Sequence, residues 1–241
     1  MTTQVLQKLK NDDHYYGEFG KRYLSNSDIG TLLSNPQAYK APSQTTPEMV
    51  KGSYLHTLLL DPDRVGEYRI IDASSRNTNK YKEESDGKVF LLREEAEEVV
   101  QMVKKLNDNF ELYDLMHIDT VAYEEPAIGE IFGAPWKGKA DILKKDMIID
   151  IKTTSRIDDF KFSARKYNYD SQAYVYEKLF GVPVTFIAIE KGTHRTAVFD
   201  CSHQFLLGGE KKVIQAVNIW ARFFGPEATE DVNNFVNHLI L

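Results

Sequence analysis

The stretch Met147-Ile148-Ile149-Asp150-Ile151-Lys152-Thr153-Thr154 alternates apolar and polar side chains with period two. A strand turns such a pattern into two faces, with Asp150 and Lys152 on one and Ile149 and Ile151 on the other. Trp136 to Leu143 reads as the preceding strand, and the turn Lys144-Lys145-Asp146 folds it back as a hairpin that brings Asp141 next to Asp150. Two carboxylates at close range suit Mg²⁺ or Mn²⁺, hard ions that polarise phosphate oxygens and lower the pKa of a bound water. Lys152 is then positioned to stabilise developing negative charge or to orient the attacking water. Hydrolysis of a phosphodiester needs such a set.

The surrounding pattern is that of an α/β chain. Asp28 to Leu33 and Met49 to Leu60 read as helices; in the second, Gly52-Ser53-Tyr54-Leu55-His56 leads into the apolar run Thr57-Leu58-Leu59-Leu60, so a buried helix carries one histidine. Arg69 to Asp72 reads as a short strand, and Ser74 to Gly87 as a polar loop holding Arg76, Lys80 and Lys82. Arg93 to Asn107 is an amphipathic helix with Val99, Val100, Val103 and Leu106 on its apolar face and acids in its first turns, where the helix dipole favours them. Ala164 to Phe180 reads as one helix, with Gln172 and Tyr176 sharing a face. Gly181-Val182-Pro183 stops it before the β-prone strands Val184 to Glu190 and Thr196 to Asp200. The β-α-β order from Ile148 to Val184 suits a right-handed crossover. Gly208 to Phe224 reads as a long helix and Glu227 to Leu241 as a shorter one.

Six segments in order resemble the PD-(D/E)XK nuclease superfamily, in particular the RecB nuclease domain and the RecE (exonuclease VIII) phage-recombination exonucleases. They are Tyr23 to Ile29 with Ser34-Asn35-Pro36-Gln37-Ala38-Tyr39, Gly52 to His56, Glu125 in Glu125-Pro126-Ala127-Ile128, Gly138 to Asp141, Asp150 to Thr154, and Gln172 to Tyr176. The resemblance implies a restriction-endonuclease-like core, a mixed central sheet flanked by helices. It further implies metal-dependent DNA cleavage, with His56, Asp141 and Asp150 as metal ligands, Lys152 as the catalytic lysine, and Glu125 and Gln172 organising water or substrate. Glu124 is adjacent to Glu125, and a slip of one residue exchanges the faces of a strand; Glu125 is preferred. Ala140 stands where the motif has proline, a residue that shapes backbone and does no chemistry. Ser27, Arg76, Arg165 and Tyr176 are the candidate DNA contacts.

Within that resemblance the expected activity is a Mg²⁺-dependent 5′-to-3′ exonuclease on double-stranded DNA ends, exposing single strands for recombination by annealing, with Mn²⁺ able to substitute. A ring-forming homo-oligomer and a RecT-like annealing partner are its implied associates, and a phage or prophage in a bacterial host its implied source. A structure-specific or restriction-type endonuclease is an alternative on the same fold, and a catalytically silent DNA-end-binding module another.

Composition narrows the choice. A chain of 241 residues, 42% hydrophobic, can bury one core, expected as a single domain over 1–241 with an N-terminal helical part at about 20–65, a catalytic core at about 118–200 and C-terminal helices at about 205–241. No run of eighteen apolar residues appears, and Met1-Thr2-Thr3-Gln4 begins a polar segment, the pattern of a cytoplasmic chain without membrane contact. A single cysteine, Cys201, excludes an intrachain disulfide and the four-cysteine iron-sulfur staple of some RecB-like nucleases. No G-x-x-x-x-G-K-[ST] phosphate loop is present, so no ATP site of that type is expected. The formal charge of −6 is unfavourable for DNA, but Lys137 to Lys166 carries nine basic residues against five acids. With Asp141 and Asp150 offset by bound cations, the field at the site should be positive.

Overall fold

Along Ile148–Thr154 and Val184–Glu190 successive apolar side chains alternate between two hydrophobic clusters, and this sets the centre of the molecule. Ile148, Val184, Phe186 and Ala188 belong to one hydrophobic cluster, whereas Ile149, Ile151, Ile187 and Ile189 belong to a second. A sheet covered on both faces has this signature, and every residue of Val184–Glu190 is buried.

The computed structural model describes residues 2–42 and 44–236. Its elements run α1 (Thr2–Leu9), α2 (Asp12–Tyr16), α3 (Asn26–Ser34), α4 (Pro47–Leu60), β1 (Ile70–Ile71), α5 (Asn79–Ser85), β2 (Leu91–Leu92), α6 (Arg93–Asp108), α7 (Phe110–His117), β3 (Thr120–Ile131), β4 (Ala134–Lys144), β5 (Ile148–Thr154), α8 (Phe160–Lys166), α9 (Tyr169–Phe180), β6 (Val184–Glu190), β7 (Thr196–Asp200) and α10 (His203–Phe223). The main sheet has the order β3-β4-β5-β6-β7, and β1 pairs with β2. Its β5–β6 ladder is parallel, as a helical crossover requires, and the other ladders are antiparallel. Residues of α3, α9 and α10 pack on one face; α4, α6 and α7 cover the other. This is the expected α/β arrangement of a mixed sheet flanked by helices.

Several local expectations change. Ala164 to Phe180 is not one helix: Asn168 adopts a left-handed backbone (φ 60°) that no continuous α-helix contains, so α8 ends before it and α9 begins after it. The break is stabilised by Lys212, which donates to Asn168 Oδ1 at 3.0 Å, and by Asn26, which donates to the Asn168 carbonyl at 3.0 Å. The polar stretch Ser74 to Gly87 contains α5, started by the Thr78 hydroxyl accepting the Tyr81 N–H at 3.2 Å. On α6, Val100 is 42% exposed, and Ala96 and Met102 join Val99 and Leu106 on the buried face. The Arg69 to Asp72 strand is shortened to β1, paired in parallel with the unforeseen β2.

The expected helix over Glu227 to Leu241 is replaced, within the described residues, by a short 3₁₀ turn at Val232–Asn234. The Asp231 carboxylate accepts the Asn233 N–H at 2.9 Å, a local bond that competes with helix formation. Residues 237–241 lie outside the described residues. Among the described residues, no helix is long and apolar enough to cross a membrane.

Candidate active site

The site forms where two strands part. β4 and β5 pair at Ile142–Ile149 and Leu143–Ile148, and there the ladder stops. Asp141 sits at the fork, and its Oδ2 accepts the Ile151 N–H at 2.8 Å, a side chain taking the place of the next ladder bond. Side-chain alternation along β4 also slips here, since Ala140 packs in one hydrophobic cluster and Ile142 in the other. The fork thus holds a buried carboxylate against the backbone of β5.

Asp150 and Lys152 project from the same face of β5, as their spacing requires, and form an ion pair through Asp150 Oδ1 and Lys152 Nζ. Gln172 Nε2 on α9 donates to Asp150 Oδ2 at 2.6 Å. Lys152 Nζ also lies 5.0 Å from the centroid of the Tyr169 ring. Burial pushes the Asp150 pKa up, with Lys152 opposing the shift. Burial would lower the pKa of Lys152, but Asp150 and then Asp141 hold it above the ordinary lysine value.

His56 comes from α4, which Thr46 caps through Met49 and Pro47 opens. Its Nε2 lies 3.0 Å from the Ile151 carbonyl oxygen. Because a carbonyl only accepts, Nε2 carries the hydrogen and Nδ1 is the nitrogen available on the other side of the ring. Nδ1 faces Asp141 Oδ1 at 3.3 Å and Glu124 Oε1 at 3.9 Å. Burial alone would lower the His56 pKa; the Asp141 and Glu124 carboxylates outweigh it and raise the value well above the ordinary 6.5.

Glu124, not Glu125, is the acid that turns to this group. It lies in β3 with a left-handed backbone (φ 50°), a conformation that departs from regular strand geometry at this position, whereas the preference for Glu125 came from the resemblance. Glu125 pairs instead with Lys10 at 2.8 Å. The ligand atoms of His56, Glu124 and Asp141 lie within 4.8 Å of one another. All three, with Asp150, Lys152 and Gln172, line one cleft of about 420 Å³. Glu125 is not among its lining residues.

One imidazole nitrogen and two carboxylates form a donor set suited to a divalent cation. Asp150 stands beside this set, and its buried Oδ1 has no hydrogen-bond partner besides the ion pair with Lys152. A further buried carboxylate beside the set, its charge met by one ammonium, fits a site that takes up a cation.

The candidate DNA contacts scatter. Ser27 is exposed beside a neighbouring cavity of about 520 Å³ that shares Tyr15, Tyr16, Gln172 and Tyr176 with the cleft. Tyr176 is buried, its hydroxyl donating to the Lys139 carbonyl at 2.8 Å and its ring lying against Gly138, so it packs beneath β4 and does not offer a stacking face. Arg76 is held by Glu95 at 2.6 and 2.8 Å and by the Phe90 carbonyl at 3.0 Å, outside the cleft. Arg165, on α8, donates to the Lys161 carbonyl and lies 5.2 Å from the Phe205 ring centroid, lining a separate apolar hollow. Conversely, the cleft contains Asp12, Tyr15, Tyr16 and Arg64, which carry no motif that spacing could have flagged, and Lys139, which lies inside the Gly138 to Asp141 segment without having been singled out.

Among curated proteins, none matches the chain significantly. A putative exonuclease from Eubacterium rectale shares its fold, with a TM-score of 0.64 at 15% identity over 87% of this chain and 85% of that one. A phage-related exonuclease from Haemophilus somnus aligns over 83% of this chain and 94% of its own, at 13% identity and a TM-score of 0.37. The model of the "PDDEXK-like domain of unknown function (DUF3799)" family matches residues 31–223, from within α3 to the end of α10. That span takes in the forked strands and the cleft residues His56, Glu124, Asp141, Asp150, Lys152 and Gln172 alike, and the chain belongs to this PDDEXK-like family.

Proposed function

We propose that the protein is a divalent-metal-dependent deoxyribonuclease, acting as a 5′-to-3′ exonuclease on double-stranded DNA ends. The observation that carries this reading is the convergence of His56, Glu124 and Asp141 on the Asp150–Lys152 pair inside one cleft. Family membership supports phosphodiester chemistry, and the name of the Eubacterium rectale neighbour of like fold agrees with exonucleolytic action. Polarity, a role in annealing-based recombination, a RecT-like partner, a ring assembly and a cytoplasmic, phage-linked setting rest on the resemblance set out from the sequence.

His56 Nδ1 with the Glu124 and Asp141 carboxylates would hold the cation, and Asp150 would complete the set from β5. When bound, the cation supplies polarisation of a phosphate oxygen and a lowered pKa for a water. Lys152 presents a fixed ammonium to the negative charge that builds on phosphate during hydrolysis. Gln172 holds Asp150 in orientation through its amide, and the Ile151 carbonyl holds His56 in one tautomer. Asp141 is pinned by the Ile151 N–H, so strand and site move as a unit.

The test is to incubate the protein with Mg²⁺ and linear or closed circular duplex, the linear form labelled at one end of one strand. Progressive loss from 5′ ends with the circle intact supports the exonuclease reading; cutting of the circle favours an endonuclease. Folded Lys152→Ala with the wild-type rate refutes the site. Gln172→Ala should slow turnover while metal affinity changes little, because the amide acts through Asp150.

A further inference from the structure

The cleft already contains an anion, and it comes from the chain itself. Asp12, at the start of α2, places Oδ1 2.5 Å from Lys139 Nζ and Oδ2 3.0 Å from Arg64 Nη1. Both cations line the cleft that contains the proposed metal ligands. Lys139 is a buried ammonium, 6% exposed, whose other carboxylate neighbour is Glu124 at 3.8 Å. Its Nζ also lies 4.6 Å from the Tyr15 ring centroid and 5.5 Å from that of Tyr16. Arg64 is oriented from behind: its Nε and Nη2 are taken by Glu67, each at 3.0 Å, which leaves Nη1 to Asp12, with Asp61 Oδ2 farther from the same nitrogen at 3.8 Å. Leu9 and Tyr15 are buried anchors on either side of Asp12.

A forked acceptor gripped by an ammonium and a pre-oriented guanidinium is the geometry in which phosphate is bound, because carboxylate and phosphate offer the same paired oxygens to the same donors. We propose that Arg64 and Lys139 form a seat for a phosphate of the DNA backbone, and that the Asp12 carboxylate occupies this seat as an internal stand-in that substrate must displace. This inference rests on the proposed DNA-cleaving function. The buried anchors Leu9 and Tyr15 keep α1 and α2 docked while the half-exposed Asp12 side chain gives way. Asp12 lies outside the span 31–223 matched by the family model, whereas Arg64 and Lys139 lie within it.

Asp12→Asn keeps the side chain's size and removes the competing charge. The experiment measures anisotropy of a short labelled duplex in EDTA and the KM for its cleavage in Mg²⁺, for wild type, Asp12→Asn, Arg64→Ala and the double variant, with thermal melting as a folding check. Asp12→Asn should bind about fivefold more tightly or better, with a log–log salt dependence steeper by about one. Arg64→Ala should weaken binding by a similar factor, and in its background the gain from Asp12→Asn should shrink. A purely structural Asp12 would shift melting without steepening the salt dependence. The inference is overturned if Asp12→Asn leaves both anisotropy and KM unchanged or makes them weaker while wild type cleaves DNA. Wild type that neither binds nor cleaves DNA overturns the nuclease reading, and this inference with it.

Discussion

Replacing Gly138 by alanine would place a methyl group 2.9 Å from Tyr176 Cε1 and 3.1 Å from both Tyr176 Cδ1 and Leu179 Cδ1. A free ring would tilt away. Tyr176 cannot, because its hydroxyl donates to the Lys139 carbonyl at 2.8 Å and accepts the Lys139 N–H at 3.4 Å, on the residue next to the new methyl. The strain therefore falls on the contact between β4 and α9. Overpacking of this kind costs about 1–3 kcal/mol. For a chain of this size each kcal/mol lowers Tm by about 2–4 °C, so Gly138→Ala should melt roughly 2–12 °C below wild type. Tyr176→Phe should cost about 1–3 kcal/mol by itself, since the Lys139 carbonyl is left buried without its donor. In the double variant the ring is no longer tethered and can move off the methyl, so the two costs should fall short of additivity by at least about 0.5 kcal/mol. Thermal and urea denaturation of the four proteins complete the cycle. Additive costs, or a neutral Gly138→Ala, would refute the reasoning that the hydroxyl pins the ring against β4.

Glu124→Gln should weaken Mn²⁺ binding in calorimetry by about tenfold or more, whereas Glu125→Gln, which only releases Lys10, should stay within about twofold. The pH dependence of Mn²⁺ binding follows from His56, whose pKa in the metal-free protein is raised above 6.5. Cation uptake at Nδ1 requires the neutral ring, so above about pH 7, where Asp150 with its pKa pushed up to about 6 is ionised, affinity should rise by about tenfold per pH unit until the raised His56 pKa is passed, with one proton released in buffers of differing ionisation enthalpy. The same shift acts oppositely on the metal-free fold: the His56 contribution to stability is fully present below about 6.5 and is lost as pH rises through the raised value. A pH-independent Mn²⁺ affinity would exclude His56 Nδ1 as a ligand. Arg76→Ala should cost about 1–2 kcal/mol in urea denaturation, through loss of the two-pronged Glu95 contact, and leave duplex affinity unchanged. A drop in DNA affinity without loss of stability would restore Arg76 as a DNA contact.

What the sequence determined by itself are the features written in local periodicity. The two-residue alternation of Ile148 to Thr154 specifies a strand that separates Asp150 and Lys152 from Ile149 and Ile151 whatever it packs against, and the structure has that separation. The order of strands and helices after it, and the long helix α10, follow from spacing and from breakers such as Gly181 and Pro183. Tertiary structure decided the rest. Whether Glu124 or Glu125 faces the cleft depends on the left-handed backbone of Glu124, held between the pairs Tyr123–Ile142 and Glu125–Ala140, which two-residue alternation does not encode. The division of α8 from α9 at Asn168 depends on donors supplied by Asn26 and Lys212, both remote in the chain. Arg76 and Arg165 look like free cations in a sequence, but their partners Glu95 and Phe205 are set by packing. Asp12, Arg64 and Lys139 meet only in three dimensions, across separations in the chain that no periodicity spans, which is why spacing could mark the strand carrying the chemistry but not the charges gathered around it.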